Sequence, residues 1–426
     1  MDDPTASGQK NGSPGLLRRV LSFGGLPFLA LLTPFLFLPI LARVAGADAW
    51  LAIAVGQSVG AFLALFVALG YNTVGPTLVA LAQTEEKPTV LRQSVLARLA
   101  ILAPALIVGT ALAALIAPDS HRIEAALMSA AMVLTGFSSA WYMIGLGRAE
   151  LIVLYEMLPR ILATAAAAAV LLLYAQVLWY PVLLIAAAVR SSTLFLSRTV
   201  GLRELLRTRP GELRATLRAN RSAMSTEIVG GAYNSLAVTF VSLTAPAAHA
   251  ANYVSGDKLY RIGQYSVSAL GNALQGWVVE DDRAQFTQRA RKALVLHLTL
   301  GLVGLAGFAL LGPPLSGALF GDVVAIDTAT SLGFGIATLG IALGTAVGRV
   351  ILIGLGARRE FLISVILGAT AGVPSIFLLA AAFGAAGGAW GLAIGEITSV
   401  IAQSIFAWRR WSQWADEPRM SATNLD

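Results

Sequence analysis

The 426-residue chain has no cysteine, three histidines and few charged residues, and each shortage excludes a class of protein. Without cysteine there is no disulfide framework, no thiolate metal site and no cysteine nucleophile. Charged residues make up 12% of the chain and hydrophobic residues 57%, whereas soluble domains are roughly 25% charged. Because this small number of charged residues cannot cover a water-facing surface, the composition excludes an ordinary soluble protein.

Motifs of the common enzyme classes are also missing. The sequence contains no Walker A pattern, no HExxH zinc motif and no GxSxG elbow. His121 and His249 fall in short predicted loops, and the longest predicted outer loop, residues 315–327, has only Asp322 and Asp327 as ionisable groups. We therefore expect a protein that is not an enzyme and that binds neither a metal nor a cofactor.

Long apolar runs dominate the chain, whose mean hydropathy is +0.74. A membrane-spanning helix needs about 20 mostly apolar residues, and twelve stretches meet that need. They are residues 20–42, 49–71, 95–117, 123–146, 151–174, 180–202, 222–244, 251–279, 293–312, 328–355, 361–384 and 387–408. Turn signals such as Gly46–Asp48 and Gly384–Gly388 separate them. The sequence thus predicts an all-α polytopic membrane protein.

Basic residues give the orientation, since Lys and Arg concentrate in cytoplasmic loops. With the N terminus inside, only Arg43 and Arg122 of the 30 basic residues fall in outer loops. Both termini are therefore predicted to be cytoplasmic. The net charge of +7 and the pI of about 9.9 follow from this topology, so nucleic acid is not expected as a partner.

The longest connection follows the sixth span and suggests two halves. It is basic and contains the Arg209–Gly211 break, and a weak repeat at an offset near 207 relates residues on either side. The predicted division is a disordered cytoplasmic tail (1–17), a six-helix lobe (18–202), a basic linker (203–221), a second six-helix lobe (222–410) and a cytoplasmic tail (411–426).

Ionisable residues at membrane depth are costly and are often functional. The basic ones are Arg160, Arg190, Lys258, Arg261 and Arg349, and the acidic ones are Glu156, Glu227, Asp257 and Glu396. Glu156 and Arg160 are four residues apart, as are Asp257 and Arg261, so each pair could be neutralised on one helical face. Alternatively, the cations bind an anionic substrate. Arg190 has no acidic residue within a turn and needs a partner elsewhere, while Arg349 is close enough to a helix end to reach the interface.

Three short motifs resemble the Wzx-type oligosaccharide flippases. The first span ends in Leu38–Pro–Ile–Leu–Ala–Arg–Val–Ala–Gly46 followed by Asp48, the second in Leu69–Gly–Tyr–Asn72, and the fifth opens on Gly145–Leu–Gly–Arg148. The resemblance implies a V-shaped, MATE-like arrangement of two six-helix lobes within the MOP superfamily. It also implies alternating-access translocation of undecaprenyl-pyrophosphate-linked oligosaccharide across the bacterial cytoplasmic (inner) membrane, for exopolysaccharide, capsule or O-antigen assembly.

Members of that family line a central cavity with cations, so Arg43, Arg160, Arg190, Lys258 and Arg261 are the predicted substrate-binding residues. Proton or sodium coupling occurs in some members, for which Glu227, Asp257 and Glu396 are the candidates. The bilayer and glycan polymerases are the expected partners. Three other functions remain open: an ion-coupled MATE-type exporter of small cations, a lipid II-type flippase, and a non-catalytic subunit of a glycan assembly complex.

Overall fold

A computed structural model describes residues 16–201, 210–279 and 283–416, and these residues form helices joined by short connections, with no β-strand among them. The first half of the chain comprises α1 Leu16–Ala68, α2 Tyr71–Leu81, α3 Lys87–Ile116, α4 Arg122–Thr135, α5 Ala140–Gly145, α6 Ala149–Ile152, α7 Leu158–Tyr174 and α8 Trp179–Thr199. The second half comprises α9 Pro210–Thr244, α10 Ala247–Val279, α11 Arg283–Phe320, α12 Thr328–Gly344 and α13 Arg358–Asp416. Two π-helical segments, Val153–Met157 and Thr345–Leu352, precede α7 and follow α12.

Two glycines bend the longest helices. Gly46 in α1 has φ 83° and Gly384 in α13 has φ 60°, a backbone conformation that side chains with a Cβ rarely adopt. Each bend divides its helix into two arms at a turn that the sequence predicts. Arg410 donates to Glu360 Oε1 at 2.7 Å and so ties together the ends of the two arms of α13.

Eight segments of the described chain are long and apolar enough to cross a membrane. The bends divide α1 and α13 into further arms. Helices α9 and α10 are 35 and 33 residues long and are more polar than those eight segments. Helices therefore lie at every predicted span position, and the chain is a multi-pass membrane protein. Twelve crossings and cytoplasmic termini stay predictions.

The largest apolar core extends across both halves. It contains Leu41 and Trp50 from α1 together with Tyr253 from α10 and Phe334 from α12, all nearly fully buried. Trp50 also donates from Nε1 to the Ala251 carbonyl at 3.2 Å. The second arm of α1 thus packs against the second half.

The lobe boundaries stay predictions. Part of the predicted linker, residues 202–209, lies outside the described residues, as do residues 1–15 and 417–426 of the predicted tails.

Candidate functional site

A polar cluster lies where the second arm of α1 meets α10. Lys258 on α10 donates from Nζ to Gln57 Oε1 on α1 at 2.8 Å, a bond between residues 201 positions apart. The ammonium nitrogen also lies 4.0 Å from Asp257 Oδ2. Both Asp257 and Lys258 are buried. The contact places a charged residue of one half against an amide of the other half.

Arg261 completes this cluster one turn along α10. Its Nε donates to Asp257 Oδ2 at 2.8 Å, which is the i,i+4 pair that the sequence predicts. Its Nη2 donates to the Asn234 carbonyl on α9 at 3.1 Å, and Gln264 Nε2 donates to Asn234 Oδ1 at 3.2 Å. We call Gln57, Asn234, Asp257, Lys258, Arg261 and Gln264 the central cluster.

Charge in the central cluster does not balance. Lys258 and Arg261 share the single carboxylate of Asp257, which leaves one positive charge in excess. The Arg261 side chain is 27% exposed, whereas that of Asp257 is 4% exposed, so the guanidinium is the group that an incoming molecule meets first. Guanidinium and ammonium groups bind phosphates, and the amides of Gln57 and Gln264 can bind hydroxyls.

Arg160 on α7 lies in the first half, where it lines a cavity. It is exposed and has neither a hydrogen bond nor an ion pair of its side chain within the described part of the chain. Its charge acts on the buried Tyr180, whose surroundings also include Gln57.

Pairing of Glu156 with Arg160, which their spacing favours, does not occur. The Glu156 carboxylate instead accepts hydrogen bonds from the Ser138 hydroxyl and from the Ser139 backbone N–H, the latter at 3.0 Å. The cause is the π-helical segment Val153–Met157. A π turn is wider than an α turn, so residues four apart across it no longer stack on one face.

The first half contains a partly open cavity of about 760 Å³, and Arg160 belongs to its wall. Methionines and other apolar side chains make up most of that wall, and its polar side chains include Asn72, Thr135, Glu156, Arg160 and four serines, among them Ser191 and Ser192. A cavity of this size can hold a ligand of several hundred daltons.

Arg98 is a buried cation that the charge pattern places in a cytoplasmic loop. Its side chain is almost fully buried, and Nη2 donates to the carbonyls of Gly136 and Ser138 at 2.8 and 2.6 Å. The guanidinium also lies 4.8 Å from the centre of the Phe137 ring. Arg98 therefore holds the segment after α4 that supplies Ser138 to Glu156.

Two predicted substrate-binding residues lie away from the central cluster. Arg43, at the predicted outer end of the first arm of α1, donates to the carbonyls of Gly317, Ala318 and Leu319, at 3.3 Å for Gly317 and 3.2 Å for Leu319. Arg190 is exposed and borders a separate groove between α7 and α8. Of the five predicted cations, the structure brings Lys258 and Arg261 into one cluster, whereas Arg160 lines the cavity of the first half.

The predicted acidic residues are also dispersed. Glu227 Oε1 on α9 accepts from the backbone N–H and hydroxyl of Thr73 at 3.0 and 2.8 Å, so it caps the start of α2. Glu396 on α13 accepts from the Tyr260 hydroxyl at 3.5 Å and has no cationic partner among the described residues. Asp257 belongs to the central cluster.

Gln57 and Tyr180 are the residues of this region that sequence reasoning misses. Gln57 has a detectable signal, because it is a lone amide in an otherwise apolar span and polar groups in spans are costly. Tyr180 has none, because tyrosines are common at membrane interfaces.

Comparison with known proteins identifies the fold. The chain resembles a multidrug resistance MATE family transporter of the MOP superfamily in an inward-facing conformation, with 13% identity, a TM-score of 0.73, and 95% of this chain and 100% of that chain covered. It resembles the lipid II flippase MurJ in an inward closed conformation, with 12% identity, a TM-score of 0.64, and coverage of 91% and 87%. An outward-facing MATE family transporter of the MOP superfamily gives 14% identity, coverage of 93% and 98%, and a TM-score of 0.53.

No protein-family model matches the sequence, and no curated protein matches it. The all-helical arrangement predicted from the sequence is confirmed at the level of its architecture: this chain has the fold of MATE transporters and of the MurJ flippase.

Proposed function

We propose that this chain is a flippase that moves a lipid-linked (undecaprenyl-pyrophosphate) oligosaccharide across the cytoplasmic membrane by alternating access. The observation that carries the proposal is the excess positive charge of the central cluster at the junction of the two halves. In a fold shared with transporters, a cationic site between the halves favours an anionic cargo.

The substrate poses a specific physical problem. Its hydrocarbon tail can stay in the bilayer, but the sugar and pyrophosphate must cross a medium of low dielectric constant, where an unpaired charge is very costly. Lys258 and Arg261 would replace the water around the phosphates, and Arg160 would add a third cation from the first half. The amides of Gln57 and Gln264 would bind sugar hydroxyls.

Alternating access requires contacts that hold one side closed and can break. Arg43 is suited to that role, because its guanidinium on the first half binds the last carbonyls of α11 on the second half. Trp50 adds a hydrogen bond to Ala251 on the same predicted outer side. Opening of the outer side breaks both contacts, while the hydrocarbon tail of the substrate stays in the bilayer.

Arg43→Gln should favour the outward-open state. The loss of a charge-assisted hydrogen bond costs about 1.5–3 kcal/mol, so we expect roughly a tenfold or greater rise in the labelling rate of Ala251→Cys by a membrane-impermeant maleimide. Because the chain has no native cysteine, the introduced thiol reports alone. Arg122→Gln is the matched control, since Arg122 pairs with Asp119 at 2.7 Å within one turn; equal labelling in both variants would contradict the role of Arg43.

Transport itself is tested with the purified chain in proteoliposomes. A fluorescent, short-chain polyprenyl-pyrophosphate oligosaccharide is placed in the inner leaflet, and its appearance outside is measured by lectin binding. We expect transfer that depends on the protein and is inhibited by the unlabelled lipid pyrophosphate. Transfer equal to that of empty liposomes would refute the proposal, and transfer by the pure chain would exclude a role as a mere subunit.

A second candidate, ion-coupled export, is favoured by one observation. Glu396 lies mid-helix in α13 with a tyrosine hydroxyl as its neighbour and no cation among the described residues. The other two acidic candidates are engaged, Glu227 by Thr73 and Asp257 by two cations. Loss of pH dependence or sodium dependence of transport in Glu396→Gln would assign coupling to this carboxyl group. Export of small organic cations in the same liposomes would favour the MATE-type function instead.

A further inference from the structure

A groove of about 230 Å³ lies between the π-helical segment with α7 on one side and α8 on the other. Its apolar wall is made of Leu154, Leu158, Leu162 and Leu194, which are 37–60% exposed. Leu158 and Leu162 are one α-helical turn apart on α7, and Leu154 on the π-helical segment lines the same groove. In a membrane protein such an exposed leucine stripe faces hydrocarbon chains of the bilayer.

Two arginines, Arg190 and Arg198, border the same groove. Arg190 is exposed and has no hydrogen bond or ion pair of its side chain among the described residues. It lies nine residues before Thr199, the last residue of α8, which corresponds to roughly 13 Å of helix. A cation at that depth needs an anion or water, and no described residue supplies an anion there.

Arg198 lies two turns further along α8, at its end. Its Nη1 donates to the Tyr155 hydroxyl at 2.9 Å, which fixes the side chain against the groove and leaves its other N–H groups for another partner. Neither arginine belongs to the central cluster.

We propose that the α7–α8 groove binds an anionic phospholipid of the surrounding membrane. One acyl chain lies along the leucine stripe, and the phosphate is bound by Arg190 and Arg198. The occupant comes from the bilayer because the groove opens through exposed leucines. It is anionic because the described residues of the border include two cations and no carboxylate. This site is independent of the proposed transport function and would hold for any cargo.

Native mass spectrometry of the full-length protein tests the proposal. We expect phosphatidylglycerol adducts that survive detergent washing, with about tenfold weaker binding in Arg190→Gln, since one charge-assisted contact is lost. Phosphatidylcholine should bind weakly and equally to both. Arg148→Gln is the matched control, because Arg148 is an exposed arginine that pairs with Glu150 at 2.8 Å. Equal phosphatidylglycerol binding in the wild type and Arg190→Gln would overturn the site.

A second measurement takes its main result from the wild type, so that result does not depend on any variant folding. Phosphatidylglycerol with a diazirine in one acyl chain should crosslink to peptides covering residues 154–162 and 190–198, and Leu158→Trp should suppress that labelling by filling the groove. Crosslinks distributed over other lipid-facing helices would refute a specific site. Equal labelling by the phosphatidylcholine analogue would show a chain-binding groove without phosphate recognition, which also contradicts the proposal.

Discussion

Asp257→Asn should destabilise the protein by about 3–5 kcal/mol, because removal of one member of a buried ion pair leaves the other charge without compensation. Here two cations depend on the same carboxylate: Arg261 is bound at 2.8 Å and Lys258 lies 4.0 Å away. Unfolding in mixed detergent and SDS micelles measures the effect. We expect the double variant Asp257→Asn/Arg261→Gln to regain part of the lost stability, since it removes one of the two cations that Asp257→Asn leaves without a counter-charge.

The matched control is Asp119→Asn. Asp119 also pairs with an arginine, at 2.7 Å from Arg122, but its side chain is 88% exposed. Exposed pairs contribute little, so this variant should unfold close to the wild type. Similar losses of stability in Asp119→Asn and Asp257→Asn would contradict a stabilising role of the buried Asp257 carboxylate.

Lys258→Gln should lower the rate of lipid-linked oligosaccharide translocation by roughly ten- to a hundredfold, because one charge-assisted contact to the phosphates is lost. This variant keeps the Asp257–Arg261 pair intact, and a glutamine can still bond to Gln57. The protein should therefore reach the membrane at normal levels. Both the initial rate in proteoliposomes and the surface glycan of a complemented deletion strain measure the effect.

Charge rather than the mere presence of a long side chain is what the site needs, so Lys258→Arg should retain most of the activity. Arg349→Gln serves as the comparison for a cation elsewhere in the membrane, because Arg349 donates to Asn272 at 2.6 Å outside the central cluster. Translocation by Lys258→Gln at the wild-type rate would remove the anion-binding role from this lysine.

Much of the fold could be predicted because it depends on local sequence. Apolar runs of about 20 residues give helices of membrane length, and the bends at Gly46 and Gly384 fall at turn signals. The Asp257–Arg261 pair was also predictable, since an α-helix aligns residues four apart. The Glu156–Arg160 pair was not, because a π-helical turn intervenes and its sequence signal is weak.

The composition of the site depends on contacts that sequence spacing does not encode. Depth in a span identifies Arg190 and Lys258 alike as costly charges, and the family resemblance adds Arg43, but the direction in which each helix face points is set by packing. Lys258 turns toward Gln57, Arg43 toward the end of α11, and Arg190 toward the leucine stripe. Arg98 illustrates the converse, because a cation near a span end looks like an interfacial residue until the fold buries it.

The unbalanced positive charge at the junction of the halves has an electrical consequence. In the proposed cycle, when the outer side is closed, water from the cytoplasm reaches the central cluster, and the membrane potential drops across the protein on the outer side of the cluster. When the outer side is open, the potential drops across the protein on the cytoplasmic side of the cluster. The change of state therefore moves the charge of the cluster from one electrical potential to the other, although the side chains move little. The free-energy difference is about 2.3 kcal/mol per charge per 100 mV. Under the proposed function, an inside-negative potential would hold the empty carrier open to the cytoplasm, and an anionic cargo that outweighs the single positive charge would reverse this bias and drive the loaded carrier outward.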